Sequence, residues 1–253
     1  MKSTNFSSPS RSLPGPRRYG QVYLSNRDIA RMEARLIDPS VHKTVLEIGP
    51  GHGELTYYLL KSGLLVTCVE SDHRNIDSME LKFRSYIESG SLNVKKGSIL
   101  DIHEGSYDAI IGNIPYHITS EIVFHLSKFT FRIAILMVQK EVAARMIAKP
   151  GSKEYSRLSV NCQLKYKCSI IRYVSRRNFS PVPDVDSAIV MLNPLMPEMD
   201  KPHNLEHVIN RAFSMRRKKI STIFGKDLPE YGDKRPQDLS PEDFLKLSRL
   251  LLA

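Results

Sequence analysis

Residues 44–49, TVLEIG, form an apolar run broken by a single acid, and a glycine-rich turn, PGHG, follows at once. A strand of that composition is buried on both faces, which requires a place inside a sheet covered by helices on either side. The alternation then repeats. LLVTCVES, LNVKKGSIL and YDAIIGNIP read as further strands, and RIAILMVQKEVAARMIA as strand then helix. Between them ELTYYLLKSG, NIDSMELKFRSYIESG and SEIVFHLSKF carry helical periodicity. Strands alternating with helices predict right-handed βαβ units around a parallel sheet, an α/β fold.

The flanks differ. Residues 1–16 are rich in Ser and Pro, lack an apolar period and read as a disordered tail. The stretch SNRDIARMEARLI predicts a helix capped by Ser25 or Asn26, with Ile29, Met32, Leu36 and Ile37 on one face and Asp38-Pro39 as its stop. From about residue 200 the strand signals fade. NLEHVINRAFSMRRKKISTIF is helical in period, and LSPEDFLKLSRLLL places Ser240 as cap and Pro241 in the first turn. The expected organisation is a catalytic domain over residues 17–197 and a small helical, RNA-binding domain over 198–253.

Charge narrows the partners. Among 253 residues, 37 Lys and Arg face 27 Asp and Glu, a net charge of +10 that favours a polyanion. Between Arg145 and Phe179 nine cations meet one acid, Glu154. The expected phosphate contacts there are Arg145, Lys149, Lys153 and Arg157, then Arg176 and Arg177. A second cluster is Arg216, Arg217, Lys218 and Lys219. No apolar stretch approaches the roughly 18 residues of a membrane span. The start lacks a signal-peptide core. Cys68, Cys162 and Cys168 form no CxxC pair, which fits lone thiols in a reducing, cytoplasmic setting. His203 and His207 alone are too few ligands for zinc, so no metal is expected.

The turn in LEIGPGHGEL spaces Gly49, Gly51 and Gly53 as GxGxG, with Glu54 where a dinucleotide fingerprint needs glycine. The next strand ends in Glu70, placed to accept from both ribose hydroxyls of an adenosine. These two features fit either NAD or S-adenosylmethionine. The segment Asn113-Ile114-Pro115-Tyr116 separates them. The exocyclic amine of adenine is a poor nucleophile because its lone pair is delocalised. Two acceptors, the Asn113 side-chain oxygen and the Ile114 carbonyl, draw that pair out of conjugation by binding the amine hydrogens. Pro115 restricts Ile114 to extended geometry and aims the carbonyl. Tyr116 offers a face on which an extruded base stacks, worth about 1–3 kcal/mol.

With these motifs the chain resembles the ribosomal RNA adenine N6,N6-dimethyltransferases, the small-subunit methyltransferase A (KsgA) group. The likeness runs from about Tyr19 to Leu195. YGQVYLSN, LEIGPGHGELT, NIPYHITSEIVF, QKEVAARMIAKPGSKEYSRLSV and NFSPVPDVDSAIV look like its motifs in order, nearest to archaeal and eukaryotic-type members. The resemblance implies a Rossmann-like methyltransferase domain with S-adenosylmethionine as methyl donor. Its implied substrate is two adjacent adenines near the 3′ end of small-subunit rRNA, and a monomeric enzyme is implied. It places cofactor contacts at Gln21, Val22, Leu24, Gly49, Gly51, Glu70, Ser98 and Asn113, and sets Phe179 to stack the adenine opposite Tyr116. Two positions depart from the pattern. Ser98 stands where members usually carry Asp, which predicts a weaker bond to the cofactor adenine. Val22 replaces a polar residue. The rival readings are a large-subunit rRNA methyltransferase of the antibiotic-resistance type and a non-catalytic ribosome assembly factor.

Overall fold

The computed structural model describes residues 22–195 and 201–252. The expected tail, Gln21 and the expected domain boundary at 197/198 lie outside the described residues. The main sheet has seven strands: β1 (Thr44–Ile48), β2 (Leu65–Glu70), β3 (Leu92–Lys96), β4 (Ala109–Asn113), β5 (Ile133–Gln139), β6 (Tyr166–Val174) and β7 (Ser187–Pro194). Their spatial order is β3-β2-β1-β4-β5-β7-β6. The helices are α1 (Arg27–Ala34), α2 (Glu54–Lys61), α3 (His73–Lys82), α4 (Arg84–Glu88), α5 (Thr119–His125), α6 (Lys140–Met146), α7 (Arg157–Gln163), α8 (Leu205–Ser214), α9 (Ile220–Phe224) and α10 (Pro241–Leu250).

Strand pleating explains why the apolar runs are continuous. Alternate residues point to opposite faces. Val45, Ile111 and Ile135 join one core with Ile29, Ala30, Leu55 and Leu59 of α1 and α2. Their neighbours Leu46, Ile110 and Leu136 join another with Ile122 and Val123 of α5 and Leu158 of α7. Both faces are dry, as the sequence demands.

The five strands from β3 to β5 are parallel, as expected. The last two are not. β7 runs antiparallel to both β5 and β6. The segment joining β6 to β7 contains a short 3-10 turn, Arg176–Asn178, and a two-residue strand, Phe179–Ser180, but no crossover helix. Neighbouring strands joined without a crossover must run antiparallel.

Two helices differ from expectation. Asn26 caps α1, its side chain accepting from Asp28 N–H at 2.9 Å, but the helix ends at Ala34, ahead of Asp38-Pro39. Ile37 is still buried, carried there by a tighter last turn in which its N–H donates to the Ala34 carbonyl. The long helical run after residue 204 splits into α8 and α9, and the four consecutive cations Arg216–Lys219 fall in the break. Ser240 caps α10 as expected, with Asp243 completing a capping box. The C-terminal helices share a third core with Ala148, Tyr155 and Val160. The Tyr155 hydroxyl donates to the Leu239 carbonyl at 2.8 Å. Among the described residues no helix is long and apolar enough to cross a membrane.

Two acids are sealed inside the core on the α1 side. Glu33 is 0% exposed and Glu47 1%. Burial, reinforced by the Glu47 charge, pushes Glu33 up to about 8. Burial likewise raises Glu47 to about 7, against hydrogen bonds from Thr56 and the Cys68 thiol.

Gly112 lies directly beside Ile48 in the β1–β4 pair. A Cβ there would strike the Ile48 carbonyl oxygen. Gly112→Ala should therefore cost about 1–3 kcal/mol of stability, read as a lower urea midpoint. The buried acids set a second expectation. Their folded pKa values lie above the unfolded one, so folding holds protons that the unfolded chain releases. Their contribution is complete below the unfolded pKa and is lost as pH rises through about 7 and about 8. The urea midpoint should fall across that window, and Glu33→Gln should flatten the fall. A midpoint that rises with pH there contradicts this account.

Candidate active site

The carboxyl ends of β1, β2 and β4 converge on one edge of the sheet. At β1 the glycine turn begins, and Gly49, Gly51 and Gly53 all adopt positive φ, 65°, 57° and 77°. At Gly51 a side chain is excluded twice: by that φ and by the Tyr23 ring, 3.0 Å from where a Cβ would sit. The Gly49 Cβ position lies 3.8 Å from the Asn113 carbonyl oxygen, so the turn and the β4 motif adjoin.

Glu70 ends β2 and is buried. Its Oε1 accepts from Ser71 and Asp72 N–H at 2.8 and 2.9 Å, and Oε2 from Gly51 N–H and Asn75 Nδ2, both at 3.2 Å. The carboxylate thus clamps the glycine turn to the start of α3. Ser98 follows β3, half-buried, and its hydroxyl accepts from Leu100 N–H at 3.2 Å.

The β4 motif leaves the sheet in stages. Asn113 is the last strand residue, half-buried. Ile114 N–H still donates to the Met137 carbonyl at 3.0 Å, and its side chain is buried. Pro115 is exposed, with φ −56° and ψ 129°. Tyr116 opens a 3-10 turn, and its hydroxyl bonds the buried Ser187 hydroxyl at 2.7 Å. Partial burial raises the Tyr116 pKa, against the Ser187 bond. The ring is therefore anchored at its far end. Asn113 has its own partner. One end of its amide lies 3.2 and 3.3 Å from the two Glu33 oxygens, and with the nitrogen assigned to that end, the orientation that satisfies both groups, it donates to both.

Two distant motifs are stitched together beside this edge. Tyr23–Leu24 pairs antiparallel with Phe179–Ser180, placing Leu24 opposite Phe179. Ser25 N–H donates to the Asn178 carbonyl at 2.8 Å, and Asn26 Nδ2 to Asn178 Oδ1 at 2.8 Å. Phe179 is buried, at 5% exposure, in the core that also holds Leu24 and packs Val22. The Tyr23 ring stacks on His52, with centroids 4.1 Å apart.

The expected RNA-contacting cations are exposed, except Arg216. Arg157 lies over the Phe124 ring, and its Nη1 donates to Asn210 Oδ1 at 3.1 Å. Arg176 donates to the Asp184 carbonyl at 3.0 Å. Arg216 is half-buried and donates to the carbonyls of Ser152 and Lys153, and Lys219 pairs with Asp233 at 2.7 Å. Sequence reasoning missed Tyr23, Glu33, His52, Asn75 and Ser187 at this edge. The detectable signal was Glu33, an acid one helical turn from Ile29 on the apolar face of α1.

The ribosomal RNA adenine dimethylase family matches residues 15–239. A ribosomal RNA small subunit methyltransferase A from Francisella tularensis subsp. novicida is 36% identical over 250 residues, covering 92% of this chain and 95% of that one. The crystal structure of a dimethyladenosine transferase from Plasmodium falciparum superposes with a TM-score of 0.74 at 30% identity, covering 88% and 95% of the two chains. That of the 23S rRNA methyltransferase ErmE gives 0.71 at 27% identity, covering 91% and 100%. A family match over most of the length and a relative 36% identical across nearly all of both chains lead to one conclusion: this chain belongs to the ribosomal RNA adenine dimethylase family.

Proposed function

We propose that the protein dimethylates the N6 amines of two adjacent adenines near the 3′ end of small-subunit rRNA, with S-adenosylmethionine as donor. The observation that carries this reading is the placing of Asn113-Ile114-Pro115-Tyr116 beside the glycine turn and Glu70. The site residues fit the donor. Gly49 leaves room for close backbone approach, Gly51 gives the turn its positive φ, Glu70 is the proposed ribose acceptor, and Leu24, Val22 and Ser98 are further proposed contacts. Glu70 already accepts four protein bonds, so ribose hydroxyls exchange with some of them. The two at 3.2 Å, from Gly51 and Asn75, are the longer pair. Gln21 completes the proposed set from the family resemblance.

S-adenosylmethionine supplies, when bound, an electrophilic methyl group on a positively charged sulfur. The protein's part is to prepare the amine. Asn113 Oδ1 and the Ile114 carbonyl take its two hydrogens, which localises the lone pair. Tyr116, held by Ser187, fixes the base plane, and Phe179 stacks the opposite face once its cover shifts. On gaining the methyl group the nitrogen becomes a cationic, acidic ammonium that gives one proton to water, so no general base is required. Positioning and desolvation carry most of the rate.

The setting we propose is the cytoplasm, acting as a monomer on a small subunit under assembly. The boundary near residue 197 marks the proposed start of a helical RNA-binding unit. The likeness to ErmE favours a second reading, methylation of large-subunit rRNA. Incubation with labelled donor and unmodified small or large subunits, followed by mass spectrometry of the labelled nucleotide, separates the two. An assembly factor without catalysis labels neither.

Asn113→Ala and Tyr116→Ala should each slow methyl transfer by about 100-fold or more, since both act on the reacting amine. Parent-like rates in both would end this reading. The basic surface generates a separate expectation. Arg217 and Lys218 are exposed, whereas Arg216 and Lys219 are bound within the protein. Arg217→Gln with Lys218→Gln should lower the salt slope of RNA binding by about 1.5–2, and an unchanged slope would place the RNA elsewhere.

A further inference from the structure

Among the described residues the buried acid Glu33 has no basic partner to justify its cost. A carboxyl sealed in a core normally pairs with a cation. Around Glu33 the groups are otherwise. Glu47 on β1 faces it and acts on it through its charge. Thr56 on α2 and Cys68 on β2 bond Glu47. Glu54 on α2 also bears on Glu47. Asn113 on β4 is uncharged. The charged residues of α1 itself, Arg27, Asp28, Arg31 and Arg35, are exposed.

What Glu33 does touch is one end of the Asn113 side chain, with both of its oxygens. The two ends of an amide have nearly the same shape and opposite chemistry. An Asn113 that presents its NH2 outward meets the adenine NH2 donor to donor and makes no bond. An Asn113 whose NH2 is taken from behind presents Oδ1 instead.

We infer that Glu33 is a positioning residue for methyl transfer: its carboxyl takes the Asn113 amide nitrogen and thereby turns Oδ1 toward the target amine. This rests on the reading of Asn113 as an acceptor for that amine. An ionised Glu33 accepts only, so it enforces the productive orientation. A protonated Glu33 also donates, and its O–H bonded to Oδ1 holds the amide reversed. Burial keeps the proton on Glu33 up to about pH 8, so this reversal operates near neutrality. The rate of transfer therefore climbs with pH as Glu33 ionises.

The test uses the full chain with S-adenosylmethionine and unmodified small subunits. Rates are measured for Glu33→Leu, Glu33→Gln, Asn113→Ala and the double variant Glu33→Leu/Asn113→Ala. Measured above about pH 8, where Glu33 is ionised, Glu33→Leu should lower kcat about tenfold with KM for the subunit and donor affinity unchanged. The double variant should be no slower than Asn113→Ala alone, because Glu33 acts only through Asn113. Glu33→Gln, which keeps the shape, should lose the rise of kcat with pH. If Glu33→Leu does not fold, the pH profile of Glu33→Gln decides. A parent-like kcat in Glu33→Leu, a further loss in the double variant, or a pH profile unchanged by Glu33→Gln overturns the inference. If instead Asn113→Ala itself is parent-like, the site reading fails, a result distinct from a slow Asn113→Ala beside a fast Glu33→Leu.

Discussion

The site depends on how closely two parallel strands approach at their carboxyl ends. Gly112 has no side chain to hold β4 away from the Ile48 carbonyl of β1. That contact sets Asn113 beside Gly49, and the turn that starts at Gly49 is tied through Gly51 to Glu70. Three strands thus deliver a backbone turn, a carboxylate and an amide to one edge. Such a crevice at the carboxyl ends of an open α/β sheet is where ligands of these folds lie. In this chain the crevice is built from groups that hold one another.

Much of this was legible in the sequence. The parallel strands could be read because their runs are apolar on both faces, as Val45 with Leu46 and Ile110 with Ile111 show. Gly49, Glu70 and Asn113 could be placed because each stands where such a run stops. Ser240 and Pro241 announced α10 because capping chemistry is local. Other features depend on partners far along the chain. The reversal of β7 follows from the missing crossover helix between β6 and β7 and is invisible in β7 itself. The bond from Tyr116 to Ser187 spans 71 positions. Glu33 shows in the sequence as an acid on the apolar face of α1, but nothing in α1 itself points to Asn113 as its neighbour.

The local charges have separate duties. Glu70 is ringed by donors and fixes a turn. Glu33 and Glu47 are buried, and burial raises both above the usual carboxylate range. Arg216 spends its guanidinium on two backbone carbonyls, whereas its neighbours Arg217 and Lys218 face outward. A run of four cations that looks uniform in sequence thus divides into anchors and outward-facing charges.

The third core is shared. Ala148, Tyr155 and Val160 come from the segment that follows β5, yet they are enclosed by α8, α9 and α10. Trimming the chain after β7 would strip that cover and leave the Tyr155 ring and its hydroxyl in water. The helices at the end are therefore not a detachable appendage. A shortened enzyme would gain an adhesive apolar patch close to α6 and α7, and would be prone to self-association.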